Sequence, residues 1–236
     1  MELLNELWEK KLFILKAALA TTAFWLVQLA LQLYVVGAES FDAAVIRSLA
    51  FSGATLIGVS LAIGPVSVLM PRWNFVPYRR AVGVGGFVLA TVHGILILTT
   101  YFGGTFLNLP WGADPFKMPI LFGAIASFLL YPLFFTSTDW AMRKLGRHWK
   151  TVHRLVYFAF LLIVLHFTRI NPAAMATLPG YLLLFVTAAA ILLQLAGFFK
   201  RWLNTRALIA GVFAAAVILA WLAGLYLSYV ANPIGG

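Results

Sequence analysis

The sequence contains no cysteine and few charged residues. Of its 236 residues, 10% are charged and 63% are hydrophobic. The lack of cysteine excludes disulfide bonds, thiol catalysis and cysteine-held iron–sulfur clusters within this chain. A soluble domain of this length needs a polar surface that this composition cannot supply. The composition therefore indicates a membrane protein.

Acidic residues are the scarcest charges, with only seven in the chain. All of them lie outside the centres of the long apolar segments: Glu2, Glu6, Glu9, Glu39, Asp42, Asp114 and Asp139. Ion-coupled transporters and proton pumps generally need a carboxylate inside the membrane. The distribution of acids therefore argues against a transporter. A passive anchor or small-molecule transporter, with its histidines as core hydrogen-bonding groups, is the least favoured alternative.

Long apolar segments follow one another along the whole chain. As helices, segments of about 20 residues cross the roughly 30 Å hydrocarbon layer of a bilayer. The expected spans are 12–36, 49–70, 81–102, 118–137, 151–170, 179–199 and 206–230. We therefore predict an all-α fold, a polytopic transmembrane helix bundle with six core spans and a seventh, C-terminal span. Residues 1–236 form a single membrane domain, and short connections make sequential spans antiparallel neighbours.

Basic residues give the chain a net charge of +10. All but Arg47, Lys117 and Arg169 of the 17 lysines and arginines fall at alternate ends of the predicted spans. The clustered ones are Lys10, Lys11, Lys16, Arg72, Arg79, Arg80, Arg143, Lys144, Arg147, Lys150, Arg154, Lys200, Arg201 and Arg206. The positive-inside rule explains this distribution better than nucleic-acid binding does, and it predicts a cytoplasmic N-terminus.

Two histidines lie within predicted spans, His93 in the third and His166 in the fifth. His93 lies 13 residues beyond Arg80 and His166 lies 16 beyond Lys150, so their depths are about 20 and 24 Å from the same face. A buried imidazole needs a partner for its ring nitrogens. Hydrogen bonding between helices is one explanation. Ligation of a shared haem b by both imidazoles, which suits electron transfer, is the other. Zinc is disfavoured because no third or fourth ligand is near.

A second ligand pair is left open by His153. It precedes His166 by 13 residues, which places the two on different faces of a straight helix. Its partner position would be 79 or 80, and both are arginines. Arg79 and Arg80 are explained by topology and lipid headgroups, or by docking of an anionic flavin or of haem propionates. Arg169, one turn beyond His166, is a further candidate for meeting propionates.

Two stretches resemble a known family. They are FTSTDWAMRKLGRHWKTVHRLVYFAFLLIVLH, from Phe135 to His166, and YRRAVGVGGFVLATVHGI, from Tyr78 to Ile95. Both are similar to the ferric-reductase-like transmembrane superfamily. Within it they resemble MsrQ, also called YedZ, the family of haem-binding membrane subunits of bacterial periplasmic methionine sulfoxide reductase systems. The likeness extends over about residues 50–195, the expected haem-binding core.

The resemblance implies a function as well as a fold. His93, His153 and His166 match the haem-ligand positions of the family. It implies a multi-pass protein of the bacterial inner membrane that takes electrons from a cytoplasmic flavin such as FMN, a flavin reductase or quinol. Haem b would pass them to a periplasmic molybdopterin-dependent reductase that repairs oxidised methionine. The alternatives are a stand-alone ferric or cupric reductase and a cytochrome b subunit for another redox partner, as the seventh span is unusual for the family.

Overall fold

The computed structural model describes residues 2–72, 75–200 and 205–231. Within those residues the chain is helical and contains no β-strand, so the predicted all-α fold is confirmed. The α-helices are α1 (Glu2–Leu31), α2 (Phe41–Leu69), α3 (Val76–Tyr101), α4 (Ile120–Phe135), α5 (Asp139–Leu145), α6 (Arg147–His153), α7 (Leu155–Ile170), α8 (Leu178–Phe199) and α9 (Thr205–Ala231). Gln32–Val36 continues α1 as a π-helical turn, and short 3₁₀ turns cover Phe106–Asn108 and Pro172–Ala176.

The described part of the chain has six helices long and apolar enough to cross a membrane. They are Trp8–Val36, Phe41–Leu69, Val76–Tyr101, Arg147–Ile170, Leu178–Phe199 and Leu208–Val230. The multi-pass architecture is therefore confirmed, and the expected C-terminal span at 206–230 lies within α9. The remaining predicted span, 118–137, contains α4.

The fourth span is shorter than its apolar segment suggests. Helix α4 has 16 residues, or about 24 Å, and meets α5 at an angle of 90°. The hydroxyl of Thr136 donates to the Pro132 carbonyl at 2.7 Å, in the last turn of α4. Thr138 then begins α5 by accepting a hydrogen bond from the Ala141 amide. These side chains satisfy backbone groups at the bend, which lets the helix stop and turn.

Small residues bring α2 and α3 into close contact. A Cβ built on Gly53 would lie 2.8 Å from the Ala90 amide nitrogen, and one on Gly86 would lie 2.9 Å from the Gly53 carbonyl oxygen. Neither position has room for a side chain. In a membrane, small residues at a helix interface allow this approach because packing rather than hydrophobicity drives association. These contacts fix the position of α2 relative to α3.

The apolar core lies where α2, α7 and α8 meet. Gly58 on α2 faces Phe160 and Val186, which a Cβ at that position would contact at under 3.0 Å. The rings of Phe51 and Phe167 pack at 4.9 Å between centroids and join α2 to α7. This packing sets the position of α7 relative to α2.

Charged side chains join several helix ends at one end of the bundle. Asp139, at the start of α5, forms ion pairs with Lys10 at 2.8 Å and with Arg80. The hydrogen bonds from Lys10 and Arg80 lower the pKa of Asp139 to about 2. The Lys200 ammonium donates to the Val68 carbonyl at 2.6 Å. We call this region the basic end. The helix ends at the basic end are ones that the charge pattern placed on the same side of the membrane. Arg201, which belongs to the same pattern, lies outside the described residues.

Candidate functional site

A cavity of about 390 Å³ lies in the half of the bundle away from the basic end. Its walls come from the first half of α2, the second half of α3, most of α4 and the last turns of α7, with residues at the two 3₁₀ turns. The lining is mostly aliphatic and aromatic, with a few polar groups. Cofactor sites commonly have this character and a volume of roughly 300–1,000 Å³. We call this region the cavity half.

His93, on α3, lines the cavity. Its Nδ1 lies 3.1 Å from the carbonyl oxygen of Ile46 on α2. A carbonyl can only accept a hydrogen bond, so Nδ1 carries the proton and Nε2 of the neutral ring is left as a lone-pair donor. The close packing of α2 against α3 keeps the carbonyl and the imidazole in register.

His166, on α7, lines the same cavity and is held in the same way. Its Nδ1 lies 3.0 Å from the carbonyl oxygen of Pro119, at the start of α4. Gly123, one turn further along α4, allows the ring to approach, since a Cβ there would lie 3.1 Å from His166 Nδ1. Two backbone carbonyls therefore assign the same tautomer to two histidines that face one cavity.

Paired neutral imidazoles of this tautomer suit a metal-containing cofactor. Metal-bound histidines commonly donate the other ring N–H to a carbonyl or carboxylate, which fixes the ring and makes it a better ligand. The described residues contain no group of three or more histidines and acids able to hold a bare metal ion. Two histidine ligands that line one apolar cavity suit a haem, which brings four nitrogens of its own. The residues present therefore fit the haem b that the sequence suggested.

His153 is in a different setting. It does not line the cavity, and its Nε2 lies 3.1 Å from the Thr136 hydroxyl. Because that hydroxyl donates to Pro132, it accepts the proton of His153 Nε2. The ring of Trp149 stacks on His153 with 3.9 Å between centroids, and its indole N–H donates to the Thr136 carbonyl at 2.8 Å. The nitrogen that is open in His93 and His166 is occupied in His153.

The arginines named from the sequence lie apart from the cavity. Arg79 accepts a hydrogen bond from Ser60 through its carbonyl, and its guanidinium is near Gly64. Arg80 pairs with Asp139 at the basic end. The guanidinium carbon of Arg169 lies 5.6 Å from the centre of the Phe116 ring. None of the three is among the residues that line the cavity.

Sequence reasoning missed four features of the site. The carbonyls of Ile46 and Pro119 leave no signal in the side-chain pattern, because any residue supplies a carbonyl. Gly123 could have been suspected as a point of close approach within an apolar segment. Arg47 lines the cavity, yet in the sequence it appeared only as one of the three exceptions to the charge pattern.

The fold and the site define a polytopic helical membrane protein with two histidines facing a shared apolar cavity. Residues 49–164 match the family model described as the ferric reductase like transmembrane component. Over those residues, just under half of the chain, the sequence is similar to the ferric-reductase-like transmembrane family. The match includes His93 and His153 and ends just before His166.

Several curated relatives are a little over one-third identical to this chain within the aligned segments. The haem-binding subunit MsrQ of protein-methionine-sulfoxide reductase from Bordetella pertussis is 38% identical over 120 residues, covering 46% of this chain and 52% of the relative. MsrQ from Agrobacterium fabrum is 36% identical over 95 residues, covering 40% and 43%. The magnetosome protein MamZ of Magnetospirillum gryphiswaldense is 36% identical over 116 residues, covering 48% and 17%.

The matches span about half the length of these MsrQ relatives and a smaller part of MamZ. No solved structure matches the chain significantly.

Proposed function

We propose that this chain is a haem b electron-transfer subunit in which His93 and His166 would hold the haem iron. The observation that carries the proposal is the matched orientation of the two rings. Each Nδ1 is paired with a backbone carbonyl, and each ring lines one cavity. Hydrogen-bonded bridging between helices would explain either ring alone. It would not require both to face the same cavity.

A bound haem would supply reversible one-electron transfer, and holding it through two histidines would suit electron transfer rather than oxygen binding. The contribution of the protein is orientation and burial. The carbonyls of Ile46 and Pro119 hold the imidazoles and increase their basicity. Aromatic and aliphatic lining residues such as Phe51 and Phe167 exclude water. Both effects influence how readily electrons are accepted and released.

The relatives and the charge pattern support a direction of transfer. MsrQ is by its name the haem-binding subunit of a protein-methionine-sulfoxide reductase. The basic end is the cytoplasmic end if the positive-inside rule holds. We infer that electrons enter there, from FMN, a flavin reductase or quinol, with Arg79 and Arg80 near the donor. They leave through the cavity half to a periplasmic molybdopterin-dependent reductase that repairs methionine sulfoxide.

Haem content tests the assignment of the ligands. The purified chain should show a b-type absorption spectrum and about one haem per protein in a pyridine haemochrome assay. His93→Ala and His166→Ala should each abolish that signal. His148→Ala is the matched control, because His148 is exposed beyond the bundle and should leave the spectrum unchanged. A colourless preparation that is folded by circular dichroism would rule the proposal out.

The absence of native cysteine makes the orientation easy to test. Single cysteines can be introduced at Glu39, beside the cavity half, and at Arg143, near the basic end. Both positions are exposed. In intact spheroplasts, a membrane-impermeant maleimide should label the cysteine at 39 and should label the cysteine at 143 only after lysis. The opposite result would reverse the proposed direction of electron transfer.

A further inference from the structure

The positively charged side chain of Arg47 lies at the edge of the cavity, near the N-terminal end of α2. Arg47 follows Ile46, the residue whose carbonyl holds His93, and it lines the same cavity. Among the described residues that line the cavity it is the only lysine or arginine, and none of them is acidic. Arg47 is two-thirds buried, with 32% of its side chain exposed. A guanidinium at this depth needs an anionic partner.

The partner that the structure records is a carboxylate outside the cavity. Arg47 Nη2 donates to Glu39 Oε1 at 2.7 Å, and Glu39 is 70% exposed. The hydrogen bond from Arg47 lowers the pKa of Glu39 below its ordinary value. An arginine has five N–H donors, so one contact with Glu39 leaves donors for a second carboxylate. The guanidinium is therefore already positioned to recognise carboxylates at the mouth of the cavity.

We propose that Arg47 binds a carboxylate of the tetrapyrrole held between His93 and His166. The inference rests on the proposed haem function and adds a residue to its site. An arginine–carboxylate contact is well suited to this, because its geometry can be bidentate and both groups stay charged. Haem carries two propionates, and Arg47 is the one arginine among the described residues that line the cavity.

The other arginines are less suited to the same task. Arg169 belongs to the same end of the bundle, but its guanidinium lies over the Phe116 ring and outside the cavity lining. Arg79 and Arg80 lie on α3 about 20 Å before His93, at the basic end. Arg47 lines the same cavity as both histidines and lies on α2, the helix whose Ile46 carbonyl orients His93.

Haem-binding measurements on the full-length chain in detergent test this inference. The chain is prepared without haem and titrated with haem b and, separately, with haem dimethyl ester, whose propionates are uncharged esters. Arg47→Gln should weaken haem b binding about tenfold or more, the usual loss for a hydrogen bond to a charged group. The same variant should bind the dimethyl ester as the unmodified chain does. Arg47→Lys should recover part of the haem b affinity.

Two control variants sharpen the result. Arg169→Gln should leave haem b affinity unchanged, and Glu39→Gln should hold haem at least as tightly, because Arg47 then lacks its competing carboxylate. Equal loss of haem b and ester in Arg47→Gln would mean a structural role and would overturn the inference. No loss in Arg47→Gln, or a loss in Arg169→Gln alone, would also overturn it.

Failure of the inference can be told apart from failure of the proposed function. If the unmodified chain binds neither haem nor ester, both are wrong. If it binds haem through His93 and His166 and Arg47 has no charge-specific effect, only the role of Arg47 is wrong.

Discussion

The cavity half and the basic end of this bundle both present histidine, but they use it differently. In the cavity half, His93 and His166 give their Nδ1 protons to backbone carbonyls, which leaves Nε2 as the lone-pair atom of each ring. At the basic end, His153 gives its Nε2 proton to Thr136 and stacks on Trp149. A histidine can offer Nε2 to a metal only if its neighbours form their hydrogen bond with Nδ1. The presence of a histidine alone therefore does not identify a ligand.

The largest expected effect separates the two regions directly. His166→Ala should lose all b-type absorbance, whereas His153→Ala should retain the haem held by His93 and His166. Loss of the His153–Thr136 hydrogen bond should cost only about 1 kcal/mol of unfolding free energy. Haem stoichiometry and thermal unfolding in detergent measure the two effects. A halving of the haem content in His153→Ala would mean that a second haem binds at the basic end and that His153 is also a ligand.

An intermediate effect is expected from Gly123, which sets how closely α4 approaches His166. The methyl group of Gly123→Ala would lie 3.1 Å from His166 Nδ1, so the ring must shift by a few tenths of an ångström. Overpacking of this kind costs about 1–3 kcal/mol. We expect weaker haem binding and a displaced absorption maximum.

Gly211→Ala is the matched control for that change, because a Cβ at Gly211 meets nothing within 4 Å. It replaces glycine by alanine within α9 and should stabilise the helix by up to about 1 kcal/mol without touching the haem spectrum. Equal spectra for both variants would show that the packing against His166 is looser than the structure indicates.

The smallest effect concerns Asp139, which joins α1, α3 and α5 at the basic end. Its pKa is lowered from the usual 3.8 to about 2, first by the hydrogen bond from Lys10 and then by the one from Arg80. A carboxyl with a lowered pKa stabilises the fold fully above its ordinary pKa, and this stabilisation is lost as the pH falls towards 2. Because the pairs are exposed, we expect Asp139→Asn to cost about 0.2–1 kcal/mol.

Thermal unfolding at several pH values measures this contribution. The difference between the unmodified chain and Asp139→Asn should be the same at pH 7 and pH 5 and should shrink below pH 4. A difference that grows as the pH falls would contradict the assignment. Haem content should be unaffected at neutral pH, since Asp139 belongs to the other end of the bundle.

Much of the architecture could be predicted, because a bilayer constrains the sequence strongly. Apolar segments of sufficient length mark spans wherever they occur, and the described helices lie where those segments were expected. The depth argument for His93 and His166 also led to one cavity, because helix rise is constant along a span. Two spans were less accurate. The second was expected at 49–70, but α2 begins at Phe41. The fourth was expected at 118–137, but its helix is Ile120–Phe135. Helix α4 ends where Thr136 and Thr138 form hydrogen bonds with the backbone, and a hydropathy pattern carries no information about such bonds.

The details of the site could not be read from the sequence, for a physical reason. Hydrogen bonds from His93 to Ile46 and from His166 to Pro119 each join residues 47 positions apart, and the acceptors are backbone atoms. Arg47 looked like an exception to the charge pattern until α2 and α3 were packed together. His153 looked equivalent to the other histidines until Thr136 was placed beside it.

The sequence by itself determined that this chain crosses a membrane several times, that its basic residues alternate in position, and that two imidazoles lie at similar depth. Those properties depend on local hydropathy and on the fixed rise of a helix. Only the tertiary structure decided which imidazole nitrogen is open, where the cavity lies and which arginine reaches it. Those properties depend on the packing of α2 against α3 and of α4 against α7, where close contacts at Gly53, Gly86 and Gly123 bring distant parts of the chain together.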